Sequence, residues 1–287
     1  MSILQSFWIL AATLLFTLMS LSAKVLSGTY GVFEIIFWRA LFGAICVGIF
    51  MHLRHIGFST RYPFAHVRRC IAGTGCFLFD ILALSLLPLN LELAISYSNP
   101  LFFASLVICS SLLAKRRIDW LMIAAILIGF AGVLIMVRPS NVGANLAGAA
   151  CAVTNAFLGA CSSWFVRDLA DQGEPNARTV FYFMLFGVVT GGLGTLFTGG
   201  FVGLRSDCAV PLAGVALSGL LAQVIWTHAW SRGHLLLNSL FQFSGIPCGA
   251  VFGITFFGES IDAASIVGMS IIFAAGFFSS VYLKKSS

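Results

Sequence analysis

Long apolar runs separated by short polar breaks follow one another along the whole chain. Most runs hold about 20 residues, the length at which an α-helix crosses the hydrocarbon core of a bilayer. The first run lacks the basic start of a signal peptide, so we interpret it as a retained helix. The pattern predicts ten spanning helices, at 3–23, 32–53, 70–88, 90–112, 118–137, 145–167, 178–203, 211–230, 236–257 and 262–283.

The basic residues in the polar breaks predict the orientation of these spans. Cytoplasmic loops of membrane proteins are enriched in Lys and Arg. With the N-terminus inside, three basic residues fall in outer loops, namely Lys24, Arg138 and Arg205. Twelve fall in inner loops or the C-terminus: Arg54, Arg61, Arg68, Arg69, Lys115, Arg116, Arg117, Arg167, Arg178, Arg232, Lys284 and Lys285. We therefore expect both termini to be cytoplasmic.

Composition supports a membrane protein and argues against several other classes. The chain is 59% hydrophobic and 9% charged, whereas soluble domains carry about 25% charged residues. The net charge of +6 is explained by the loops, so we expect no nucleic-acid partner. The eight cysteines are scattered without a C-x-x-C pair and are interpreted as reduced core residues. No Walker motif or metal-ligand spacing occurs, and we expect neither a metal nor a cofactor.

Two hairpins in the chain are similar to each other. Each has a proline followed by a polar turn and a Gly-containing span, and Lys115 to Gly132 and Glu259 to Gly276 are both separated by 17 residues. The implied repeat has five helices, so the second copy must cross in the opposite sense. Inverted repeats are typical of secondary transporters with a site near the membrane midplane. The predicted repeats are residues 1–140 and 141–287.

Four motifs occur in an order that resembles a known carrier family. They are FWRA at Phe37–Ala40, LALSLLPLNLELAISYSNPLF, the AKRRIDW…IGFAGVLIM hairpin and GESIDAASIVGMSIIFAAG. The chain resembles the EamA branch of the drug/metabolite transporter superfamily over essentially its whole length. It departs from that family at Ala114–Lys115–Arg116, where relatives often have a glutamate. The resemblance implies an alternating-access carrier of small metabolites with a cavity lined by both halves.

Carboxylates inside apolar spans are the first candidates for function, because a charge in the membrane normally faces a cavity or a partner. Asp80 lies about 15 Å from the inner end of its span, at about 1.5 Å per residue. It is interpreted as an ammonium or proton site, or as a structural buried carboxyl. Glu92 is a second candidate, although a glutamate in a first helical turn also favours the helix dipole.

Other polar and aromatic residues share helix faces within the spans. Pro100 and Pro247 are expected to kink spans 4 and 9, because proline removes a backbone hydrogen bond. Arg39 has either a structural role or a contact with a solute carboxylate, and His228 is either a proton-coupling group or an interfacial residue. The further candidates for solute binding are Tyr97, Asn99, Asn155, Trp164, Gln223, Trp226, Asn238 and Gln242.

These observations predict an all-α integral membrane protein of the bacterial inner membrane. We expect a secondary active or facilitative transporter of a small polar or zwitterionic, amino-acid-like metabolite. A larger cofactor-like solute, such as S-adenosylmethionine or riboflavin, is the alternative. An intramembrane enzyme or a lipid-binding scaffold is the alternative from another class. The expected partners are a small-molecule solute and the lipid bilayer, for a monomer or homodimer.

Overall fold

A computed structural model describes residues 3–286, apart from 88, 97, 116–117, 138–144 and 258–262. Every regular element within these residues is helical. Short 3₁₀ turns occur at Ser206–Cys208 and Gln242–Ser244. The α-helices are α1 (Ile3–Ser6), α2 (Trp8–Leu26), α3 (Val32–Leu53), α4 (Pro63–Leu86), α5 (Leu89–Ser96), α6 (Asn99–Leu113), α7 (Trp120–Val137), α8 (Leu146–Asp171), α9 (Asn176–Phe197), α10 (Ala209–Arg232), α11 (Leu235–Phe241), α12 (Gly245–Phe257) and α13 (Ala263–Ser286).

Six helical segments among the described residues are long and apolar enough to cross a membrane. They correspond to the predicted spans 1, 2, 3, 6, 7 and 8. Shorter apolar helices occupy parts of the predicted spans 4, 5 and 10. The all-helical architecture predicted from hydropathy is therefore confirmed for the described residues. The six segments are Ile3–Leu26, Val32–Leu53, Pro63–Leu86, Leu146–Asp171, Asn176–Phe197 and Ser206–Arg232.

The fourth and ninth predicted spans are interrupted at their prolines. We predicted a kink in the span over 90–112, and the structure has two helices there, since α5 ends at Ser96 and α6 begins at Asn99. Pro100 lies in the first turn of α6, where its missing N–H has no intrahelical partner to lose. In the ninth span a 3₁₀ turn separates α11 from α12, and Pro247 again lies in the first turn that follows. Both prolines therefore start a helical segment.

Two other boundaries differ from the sequence prediction. Helix α4 begins at Pro63 rather than at residue 70, so Arg69 lies inside a helix and not in the inner loop where we placed it. Helix α9 ends at Phe197 rather than at residue 203. Gly199 and Gly200 follow with φ of 123° and 86°, values that glycine adopts readily and that end a right-handed helix.

The most extensive helix contacts in the described structure join the first part of the chain to the second. Helix α4 packs against α8, and α2 packs against α10. Helix α3 packs against α9, and α7 packs against α13. Each pair combines one helix from residues 1–140 with one from 141–287, so the interior between the pairs is shared by both parts.

A buried ion pair ties the start of α4 to the connection between α8 and α9. Nε2 of His66 lies 3.0 Å from Oε1 of Glu174, and Nη1 of Arg178 lies 3.1 Å from the same oxygen. Burial opposes ionisation of Glu174, but hydrogen bonds from His66, Thr60 and Arg178 outweigh it and hold the pKa of this carboxyl below its ordinary value. This polar contact joins α4 to the start of α9, and Arg178 and Tyr182 on α9 donate to the carbonyls of Gly57 and Phe58 in the 54–62 connection.

Candidate functional site

A cavity with about 820 Å³ of empty volume, including its mouth, lies between helices from both parts of the chain. Its polar lining comes from α2–α6, α8, α10 and the 3₁₀ turn before α12, while aromatic rings add apolar faces. The lining residues are Phe16, Met19, Ser20, Arg39, Arg69, Gly73, Cys76, Phe77, Asp80, Leu93, Ser96, Asn99, Asn155, Gly159, Ser162, Phe183, Gln223, Trp226 and Gln242.

Asn155 on α8 connects three polar groups from the first part of the chain. Its Nδ2 donates to Oδ1 of Asp80 at 3.0 Å and to Oγ of Ser96 at 2.9 Å. Its Oδ1 accepts from the thiol of Cys76 at 2.8 Å. The Asn155 amide is itself held in place because it acts as both donor and acceptor. The second part of the chain therefore orients the Asp80 carboxylate.

A second carboxyl group lies behind this network. Glu92 on α5 has no exposed surface, and its Oε1 accepts a hydrogen bond from Ser96. Asp80 and Glu92 lie within hydrogen-bonding reach of each other. Oε2 of Glu92 has no hydrogen-bond partner among the described residues. Two neighbouring carboxylates repel each other when both are ionised. The pair of Asp80 and Glu92 is therefore suited to hold one proton between its members.

Two arginines bring positive charge to the same cavity. Only 3% of Arg39 and 1% of Arg69 are exposed. The guanidinium of Arg39 lies 4.4 Å from the ring centroid of Phe77, and that of Arg69 lies 4.3 Å from Phe183. Arg69 is also 5.8 Å from Trp226. The aromatic rings cover the flat faces of these cations, a favourable arrangement when water is excluded.

Two glycines make room for the arginine side chains. A Cβ atom at Gly73, one turn after Arg69 on α4, would collide with Nη1 of Arg69. A Cβ atom at Gly219 on α10 would lie 2.7 Å from Nε of Arg39. The arginines therefore reach the cavity by lying against glycine positions on α4 and α10.

Seven of the residues predicted from the sequence lie in the cavity wall. Asp80 and Asn155 form the polar network, while Trp226 lies beside Arg69. The structure brings these residues together from five helices and the 3₁₀ turn. The seven are Arg39, Asp80, Asn99, Asn155, Gln223, Trp226 and Gln242.

The remaining candidates lie elsewhere. Glu92 is behind the wall, as described above. Asn238 is fully buried and donates to the carbonyl of Ala229 at 2.7 Å, which closes the turn between α10 and α11. His228 hydrogen-bonds to Oε1 of Gln5 at 2.8 Å, and Trp164 packs on Phe103 with ring centroids 6.1 Å apart. Tyr97 lies outside the described residues.

Sequence reasoning missed Arg69 and Ser96 as cavity residues. Arg69 follows Arg68 in what looked like a basic loop, and only the extended α4 places it inside the protein. The spacing of Arg69 and Gly73 was a usable signal, because residues four apart share a helix face. Ser96 lies on α5, and its contact with Asn155 on α8 has no trace in the sequence.

The arrangement can bind a solute that carries charges of both signs. Asp80 is oriented by Asn155, and Arg39 and Arg69 present N–H groups in the same wall, where Arg39 also interacts electrostatically with Asp80. Nε of Arg39 and both Nε and Nη1 of Arg69 have no hydrogen-bond partner among the described residues. Buried donors of this kind are normally satisfied, so the cavity is complementary to an anionic group as well as a cationic one.

The chain is similar to known transporters in sequence and to a solved structure in fold. The model of the EamA-like transporter family matches residues 4–138. The chain is 24% identical over 276 residues to the pseudopaline exporter CntI of Pseudomonas aeruginosa strain UCBPP-PA14, covering 92% of this chain and 91% of the relative. It is 24% identical over 289 residues to a riboflavin transporter of Rhizobium johnstonii, covering 96% and 91%.

A solved crystal structure has the same fold, with a TM-score of 0.77 at 19% identity over 95% of this chain and 96% of the other. The matching family model and both relatives are named as transporters or an exporter. The resemblance to EamA-type carriers is therefore confirmed, with the EamA-like transporter family matching residues 4–138 of this chain.

Proposed function

We propose that this protein is a secondary active or facilitative carrier of a small zwitterionic metabolite, amino-acid-like in its charged groups. The observation that carries the proposal is the presence of Asp80 and of Arg39 and Arg69 in the wall of one buried cavity. A carboxylate can accept from a solute ammonium, and a guanidinium edge can donate to a solute carboxylate. The bacterial inner membrane is the location that fits the family and the organisms of the relatives.

Alternating access between two inverted five-helix repeats, residues 1–140 and 141–287, is the mechanism that we propose. The packing supports it, because exchanging the repeats turns the α4–α8 pair into the α10–α2 pair. The α3–α9 and α7–α13 pairs each map onto themselves. The interruptions before Pro100 and Pro247 also fall at corresponding places. In such carriers the solute site lies between the repeats, where interrupted helices expose polar groups.

Proton coupling through Asp80 and Glu92 is part of the same proposal. A solute ammonium that approaches Asp80 favours its ionised form, and the proton shared with Glu92 is then the one to be released. His228 is a weaker candidate for this role, because its ring contacts Gln5 on α1 and does not line the cavity. Transport would then exchange a solute for a proton in each cycle.

A larger, ring-containing solute is the second candidate. Four aromatic residues line the cavity, namely Phe16, Phe77, Phe183 and Trp226. One relative is named a riboflavin transporter. Three of the four rings, Phe77, Phe183 and Trp226, lie against guanidinium groups, which leaves Phe16 as the first ring for contact with a solute ring.

A solute screen tests the proposed function. Purified protein is screened by thermal shift against amino acids, S-adenosylmethionine and riboflavin, because a ligand of the folded state raises its stability. Each hit is then assayed by counterflow in proteoliposomes, with protein-free liposomes as the control. We expect a zwitterion to bind and to be accumulated. Chemical conversion of the solute without its movement would identify an enzyme instead.

A further inference from the structure

The charges around the cavity do not balance. Arg39 and Arg69 line its wall, and Lys24 lies close enough to Glu92 to act on that carboxyl. Among the residues that the structure describes, Asp80 and Glu92 are the carboxyl groups that interact with them. Even with both carboxyls ionised, three cations meet two anions, and a proton shared by the carboxyls increases the positive excess. A buried net charge is costly unless a counter-charge accompanies it.

Lys24 is held at the end of α4, so we assign the unbalanced positive charge to Arg39 and Arg69. Its Nζ donates to the carbonyls of Leu84 and Leu87 at the C-terminal end of α4, where a cation complements the helix dipole. Lys24 is therefore held at that helix end. Asp80 in turn receives the amide of Asn155. Arg39 lies close enough to Asp80 to interact with it electrostatically, but neither Arg39 nor Arg69 occurs among the described ion pairs.

The two guanidinium groups are also arranged for joint recognition. Phe183 lies 5.7 Å from Arg39 and 4.3 Å from Arg69, measured from ring centroid to guanidinium carbon. The cations thus share one ring. Because aromatic rings cover their faces, the edges that carry the N–H donors remain for a ligand. Such edges bind carboxylates through paired hydrogen bonds.

We infer that the preferred solute carries one more carboxylate than a neutral amino acid, so that an ammonium group meets Asp80 while two carboxylates engage Arg39 and Arg69. This inference rests on the proposed function and narrows it to net-negative amino acids and related amino dicarboxylates. The extra carboxylate would offset the positive excess of the cavity, whereas a neutral zwitterion would leave that excess in place.

Matched acid and amide solutes test the charge of the ligand. L-Glutamate and L-glutamine, and L-aspartate and L-asparagine, differ mainly in one charge, and their binding to the purified full chain is measured by thermal shift and by Trp fluorescence. We expect each acid to bind about tenfold or more tightly than its amide. N-Acetyl-L-glutamate, which lacks the ammonium group, should bind more weakly than L-glutamate. Equal or weaker binding of the acids, or no binding of either acid, overturns the inference.

Neighbouring arginines supply the matched control. We expect the Arg69→Gln variant to fold normally and to bind each acid and its amide about equally tightly. Arg68→Gln alters an exposed ion pair with Asp168 and should retain the wild-type preference. If Arg69→Gln fails to fold, Arg39→Gln serves the same purpose. Accumulation of a neutral zwitterion in counterflow, with no preference for the acids, would contradict the inference and leave the proposed function standing.

Discussion

The side-chain amide of Asn155 on α8 lies 3.0 Å from Oδ1 of Asp80 on α4. This bond joins the first part of the chain to the second inside the cavity. Any rocking of one part against the other must change it or carry both residues together. The proposed solute site therefore coincides with a contact between the two parts that the proposed alternating access would either break or move as a unit.

Replacement of Asp80 tests the proposed ammonium site. Asp80→Asn preserves the shape and an acceptor oxygen for Asn155 but removes the negative charge. We expect solute affinity to fall about tenfold or more, since a hydrogen bond to a charged group contributes about 1.5–3 kcal/mol. Thermal stability should change little. Binding is measured by thermal shift, with Asp207→Asn on the exposed 3₁₀ turn as the control, and unchanged binding would remove Asp80 from the site.

Replacement of Asn155 tests the link between the two parts. Asn155→Ala leaves Asp80, Ser96 and Cys76 without their shared partner, so we expect stability to fall by about 1–3 kcal/mol and transport to be lost. Asn176→Ala removes a bond of 2.9 Å to Ser231 outside the cavity and is the control. Thermal melts and uptake assays compare the two variants. Normal transport by Asn155→Ala would show that the link is dispensable.

Replacement of Gly73 by alanine tests whether the position of Arg69 is needed for transport. Alanine is normally favoured over glycine in a helix by about 1 kcal/mol, so a gain in stability would be expected for an unconstrained site. At Gly73 the new methyl group must displace Arg69, and we expect transport to fall. Gly192→Ala on α9, where a Cβ would meet Phe37 at an ordinary 3.4 Å, should transport normally. Full activity of Gly73→Ala would show that the position of Arg69 is not critical.

Acid should weaken the contact between the 54–62 connection and α9. The pKa of Glu174 is held below its ordinary value of 4.5, so its contribution to stability is complete above pH 4.5 and is lost as pH falls through the lower folded-state pKa. We expect the wild type to lose melting temperature in that window and Glu174→Gln to lose less. Melting curves of the detergent-solubilised protein measure this, and parallel pH profiles would exclude the contact as a source of acid sensitivity.

Cysteine labelling tests the proposed orientation. In a cysteine-free background, Ser59→Cys lies in the exposed 54–62 connection and Ser206→Cys lies on the opposite predicted side. A membrane-impermeant maleimide added to intact cells should label the Ser206 variant only, and both should react after the cells are opened. Labelling of Ser59→Cys in intact cells would reverse the orientation.

Hydropathy predicted much of the architecture because a spanning helix leaves a strong, local signal in the sequence. The start of α4 was misplaced because Arg68 and Arg69 look alike in sequence, although only Arg69 is buried. The break before Pro100 was expected only as a kink, since proline marks the position of an interruption but not its extent. The charge network was predicted only in part, because the contacts of Asn155 with Asp80, Ser96 and Cys76 join residues far apart in the chain.

The most direct test of the cavity as the solute site is counterflow in proteoliposomes that contain equal amounts of wild type, Asp80→Asn or Arg69→Gln. The liposomes are loaded with unlabelled L-glutamate, and entry of the labelled solute is followed. Our account predicts transient accumulation by the wild type and little or none by either variant. Equal accumulation by all three proteins would contradict it.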